Sequence, residues 1–143
     1  MKKAFSLFEI IIVLVIFSIL ISFIISKSKS SINSSTKIKI KSEIALIRSS
    51  ISKLNTKKIL LQEDNNFLLD DAKVDALNTQ LFENILDFPL ISTNSTKKEI
   101  GSWIKSSTNE YLVYIEEDTF LKFEYENSSF ECKSDLTICK EFE

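Results

Sequence analysis

Histidine is missing altogether from the 143 residues, glycine and proline occur once each, as Gly101 and Pro89, and there are two cysteines. Without histidine the chain lacks the usual general base, the commonest metal ligand and the side chain that titrates near neutral pH. Enzymatic readings therefore start weak. One glycine rules out a glycine-rich phosphate loop, and turns have to be built from Asn, Asp and Ser, which bond their own backbone or tolerate the left-handed region. The cysteines, Cys132 and Cys139, lie close together near the C-terminus. They read either as a structural disulfide suited to an oxidising compartment or as two buried thiols. Closed, the short loop contributes about 2 to 3 kcal/mol by chain entropy.

What is present is unevenly spread. Ser26 to Leu61 carries nine bases against Glu43 alone, a net +8, whereas Gln62 to the end carries eighteen acids against seven bases, a net −11. The chain is a basic stalk with an acidic head. Phe5 to Ile25 is an apolar run of 21 residues, enough for a helix to cross a ~30 Å hydrocarbon core. A transmembrane helix is expected there, with membrane lipid around it. Glu9 sits inside the run, where a carboxylate costs on the order of 3 kcal/mol at mid-bilayer and marks function. An ordinary signal anchor accounts for the apolar run and for Lys2 and Lys3 but not for the acid. A cleavable secretory signal needs a shorter core and a better cleavage site than Ser26-Lys27-Ser28, and a lipoprotein needs a cysteine after the core.

The order K-K-A-F-S-L-F-E followed by an apolar run resembles the prepilin leader and methylation segment of type IV pilins and type II secretion pseudopilins. Lys2 and Lys3 match the basic leader, Phe5 the residue that is N-methylated after cleavage, Ser6 and Leu7 the next two, and Glu9 the acid. Ala4 stands where the family usually has glycine. The resemblance implies cleavage between Ala4 and Phe5 by a prepilin peptidase. It also implies a filament of pseudopilins assembled through the N-terminal helix, served by an inner-membrane platform protein and an assembly ATPase, with no enzymatic activity, cofactor or metal. Glu9 lies about one turn from Phe5, so in stacked helices the acid of one copy can meet the new α-amine of another and pin the register. The implied home is the bacterial inner membrane, single-pass, with the N-terminus cytoplasmic and the head periplasmic. Lys27 and Lys29 balance Lys2 and Lys3, so the positive-inside count leaves orientation open; the leader and the cysteines set it. A minor pilin of a type IV pilus is the neighbouring reading. A signal-anchored periplasmic adaptor that never polymerises is the alternative of a different class.

The organisation follows: leader 1–4, transmembrane helix 5–25, amphipathic stalk helix 26–61 and globular head 62–143. In the stalk, Ile40, Ile44, Ile47, Ile51, Leu54 and Leu61 form a helical stripe expected to pack on the head. The serine-rich stretch 26–36 has weak helix propensity and reads as a soft point that can melt on filament packing. Lys37, Lys39 and Lys41 make a collar rather than a patch, expected to face anionic headgroups or a neighbour's head; direct nucleic-acid binding is not expected. In the head, Asp70 and Asp71 read as the cap of a short helix with Val74, Leu77, Leu81 and Ile85 on its buried face, ended by Pro89. Trp103-Ile104, Tyr111 to Ile115, Phe120 to Tyr125 and Ser129 to Cys132 read as an antiparallel meander. The expected fold is thus α+β and pilin-like. Glu116, Glu117 and Asp118 with Asp135 fit solvated turn acids better than calcium ligands, and the sequon Asn94-Ser95-Thr96 carries little information.

Overall fold

The structure, a computed structural model, describes residues 7–62, 67–116 and 119–142, with side chains described at 8–22, 34–62, 67–116 and 119–142. Helix α1 is Leu7–Leu61, and its backbone stays helical through the serine-rich stretch. The chain falls into two compact units, Met1–Ser35 and Thr36–Glu143.

In the first unit the expectation of a membrane-spanning helix is overturned: among the described residues no helix is long and apolar enough to cross a membrane. The single-pass inner-membrane placement that rested on this span falls with it.

The second unit is built on one face of the α1 segment from Thr36 onward. Ile40, Ile44, Ile47 and Ile51 recur at spacings of four and three, and all are buried, in one cluster with the sheet. Leu54 is half-buried, and Leu61, read as the end of the stripe, is exposed. Leu61 is the last residue of α1, and the next, Gln62, turns the chain away with a left-handed φ of 56° and donates its N–H to Ile59 O.

Against this face lies a four-stranded antiparallel sheet in the order β3-β4-β5-β6, with β3 Trp103–Lys105, β4 Glu110–Tyr114, β5 Phe120–Glu126 and β6 Ser129–Cys132. Period-two alternation turns Tyr111, Val113, Leu121, Phe123, Tyr125 and Phe130 into the core. The β5–β6 hairpin closes with Glu126 paired to Ser129, so Asn127 and Ser128 form a two-residue loop, both at positive φ (50° and 65°) as a type I′ turn requires. Both edges of this sheet are bonded by neighbouring segments. At β3, Trp103 O accepts from Thr93 N and Lys105 O from Asp75 N, each at 2.9 Å; at β6, Arg48 Nε donates to Phe130 O at 3.0 Å and Asn55 Nδ2 to the adjoining Ser128 O at 3.1 Å.

The short helix expected after Asp70 does not form. Residues 70–89 are turns and the two-residue strand β1, Gln80–Leu81, which pairs with β2, Leu90–Ile91. Of the expected apolar face only Leu81 is fully buried; Val74 and Leu77 are exposed. Asp75, Asn78 and Phe82 take left-handed φ values, which no right-handed helix accommodates. The chain closes on α2, Leu136–Phe142, which was not anticipated; its Cys139 and Phe142 are buried.

Gly101 carries φ +77°, and a Cβ there would lie 2.9 Å from Thr36 Cγ2. The only glycine of the chain stands where a turn, ahead of β3, runs close against α1.

Candidate assembly surface

On the described turns of α1 in the first unit, twelve large apolar side chains from Phe8 to Ile21 are exposed, from Phe8 at 71% to Val13 at 45%. They include consecutive residues from Ile10 to Phe17, so they occupy every side of the helix. A surface helix of a self-sufficient domain has one apolar stripe; one that is apolar all round belongs in an interior. Covering these side chains is worth roughly 1 kcal/mol apiece, since each has about half its surface to lose. The polar atoms within this run are few. Ser18 Oγ is satisfied locally, donating to Leu14 O at 2.8 Å. Glu9 has no ion-pair partner among the described residues. Ala4 and Phe5, the expected cleavage and methylation site, lie outside the described residues, as do Lys2 and Lys3.

The buried polar constellation with the most charge in the second unit centres on Asp70. Asp70, 1% exposed, accepts through Oδ1 from Lys105 Nζ at 2.7 Å and Ala72 N at 3.2 Å. Its Oδ2 accepts from Tyr111 Oη at 2.9 Å and Phe82 N at 3.0 Å. Burial, then the adjacent Asp70 carboxylate, push the Tyr111 hydroxyl far above the ordinary phenol range. Both carboxylate oxygens are thereby satisfied, and three surface clefts of this unit are lined by other residues. The arrangement holds β3, β4 and the turn at 82 together; it offers no open coordination for a substrate. Sequence reasoning read Asp70 as a helix cap and missed this role. The available signal was Lys105, the one charged residue in the buried segment Trp103-Ile104-Lys105.

Glu43, the only acid of the stalk, accepts from Trp103 Nε1 at 2.8 Å and lies 3.7 Å from Lys39 Nζ. Burial raises its pKa above the ordinary carboxylate value, against the lowering effects of Trp103 and Lys39. The lysine collar is also reassigned in part. Lys37 pairs with Glu141 and lies over the Phe142 ring, and Lys39 donates to Gly101 O at 2.7 Å. These two cations fasten the helix to its own head rather than facing headgroups or a neighbour.

Cys132 and Cys139 form a disulfide that ties β6 to α2. Asp135 caps α2, Oδ1 accepting from Thr137 N at 2.8 Å, and that bond lowers its pKa. Glu117 and Asp118 lie outside the described residues; among those described, no cluster of carboxylates or cysteines could hold a metal ion. In the sequon, Asn94 Oδ1 accepts from Lys97 N and Ser95 is bound by the Asp75 carboxylate.

No family model, no curated protein and no solved structure matches this chain.

Proposed function

We propose that this chain is a structural, non-enzymatic subunit of a pilin-like filament of the secretion or DNA-uptake kind, assembled through its N-terminal helix. The observation that carries the reading is the run Phe8 to Ile21, apolar on every side, exposed, and interrupted by the single acid Glu9. A packed bundle of like helices removes that surface from water, and a lone carboxylate inside it sets which axial offset is allowed, because an unpaired buried charge is expensive. The leader-like residues Lys2 to Phe5 supply the second support, through their resemblance to the prepilin motif. The head's net charge of −11 repels phosphate, so in a DNA-uptake filament this subunit's head is not the DNA contact.

Intact-mass measurement of the protein from its native cells tests the reading. Loss of Met1 to Ala4 with addition of one methyl group is the expected result; an intact N-terminus overturns it. Replacing Glu9 by Leu is expected to leave the head folded and abolish incorporation into filaments, and normal incorporation of that variant removes the pinning role.

A further inference from the structure

The second unit carries a groove of about 410 Å³ between one face of α1, from Leu46 to Lys57, and the loop 83–88. Leu46 and Phe88, 50% and 87% exposed, leave apolar surface uncovered at its rim. The two walls carry opposite charge. On the helix wall Lys53 and Lys57, one turn apart, are exposed and make no ion pair among the described residues. On the loop wall Glu83 and Asp87 are exposed; Glu83 accepts from Asp71 N at 3.4 Å, and neither acid is paired with a base across the groove.

We propose that this grooved face pairs with the same face of a second copy of the chain, helix wall against loop wall on both sides. Charge and symmetry carry the inference. A partner of a single sign is repelled by one of the two walls. A face that bears both signs, each on its own wall and neither neutralised within its own copy, is complementary to itself, as a two-fold contact requires. The charges also choose the axis. A two-fold running along the groove sets Lys53 and Lys57 of each copy against Glu83 and Asp87 of the other, and keeps every residue at its own height along α1. A two-fold running across the groove sets lysines against lysines and acids against acids, which is costly. In the selected pair the α1 segments of the two heads run parallel, with Thr36 at the same end of each. The uncovered surface of Leu46 and Phe88 then faces the opposite wall of the partner, where burial contributes further. Such a contact is isologous and closes at two copies. It uses no residue of the apolar run and leaves Glu9 free for its own partner, so the head pair is a state of the subunit apart from the filament and does not depend on that reading.

The test places a photo-activatable phenylalanine analogue at Phe88 of the full chain in its native cells. The expected product is a single dimer-sized adduct whose cross-linked residue lies within 46–57. Lys53→Glu with Lys57→Glu makes both walls acidic, and Glu83→Lys with Asp87→Lys makes both basic. Each double variant alone is expected to lower the adduct about tenfold or more, and co-expression of the two is expected to restore it as a mixed dimer. Thermal melting of each variant checks that the head stays folded. Glu9→Leu is expected to leave the adduct unchanged while filaments are lost. The pairing is overturned by a ladder of adducts beyond the dimer, by a cross-link to another region or another protein, by no adduct at all, by no recovery on co-expression, or by loss of the adduct in Glu9→Leu. None of these outcomes touches the filament reading, which stands or falls on the N-terminal mass.

Discussion

Asp70 concentrates more constraint than any other buried polar residue described. Removing its carboxylate by Asp70→Ala strands the Lys105 ammonium, 6% exposed, and the Tyr111 hydroxyl. Breaking such a buried pair costs about 3 to 5 kcal/mol, measurable as a fall in urea midpoint; replacing Asp70 and Lys105 together by apolar residues is expected to cost less. Gly101→Ala forces a side chain into the left-handed region and against Thr36, and is expected to cost about 1 to 2 kcal/mol. Glu43 gives the residue-scale pH dependence. Its folded pKa lies above the unfolded value, so the native state holds the proton more tightly. That contribution is fully present below the unfolded pKa of about 4.5 and is lost as pH rises through the folded value. Comparing Glu43→Gln with the wild type across that window is expected to show the wild type losing stability relative to the variant as pH rises; a constant difference contradicts it. The exposed acids Asp75, Glu99, Glu131, Asp135 and Glu141 work in the opposite sense. Their pKa values are lowered, so what they contribute is lost as pH falls.

At the scale of elements, residues whose side-chain period agrees with their backbone were legible. The isoleucines of α1 recur with helical spacing, and the aromatic and β-branched runs of β4, β5 and β6 alternate as strands do. The segment 70–89 was not, because Val74, Leu77, Leu81 and Ile85 also keep helical spacing while the backbone there is organised by distant partners. Phe82 N binds Asp70, and Asp75 N binds Lys105 O. An aspartate before an apolar pattern looks the same whether it caps a helix or accepts from the chain twelve residues on. Helix α2 escaped because its seven residues are too few for a periodic signal and its position depends on Cys139 bonding Cys132 and Phe142 reaching the core. Converting both cysteines to serine is expected to cost about 2 to 3 kcal/mol, with hydrogen exchange quickening first in α2; protection there equal to that of β5 contradicts the coupling. The candidate assembly surface was legible through Glu9 and its apolar run, whereas the buried polar cluster was not, because Asp70, Phe82, Lys105 and Tyr111 meet through contacts that no local pattern encodes.

For the whole molecule, the division of charge has a different meaning once the stalk lysines are placed. Lys37 and Lys39 hold the chain's own head, and Arg48 supports β6. The net +8 of the stalk is therefore partly internal mortar, and among the described residues Lys53 and Lys57 are the stalk bases left without a partner. The bonded sheet edges bear on how the proposed filament would come apart. Thr93 and Asp75 bond two carbonyls of β3, and Arg48 and Asn55 bond Phe130 O and Ser128 O at the other edge, which leaves fewer free backbone groups on the four-stranded sheet for a neighbouring head to pair with. In the proposed assembly such heads would be joined by side-chain packing more than by a shared hydrogen-bond ladder, and subunits joined in that way separate without breaking a sheet.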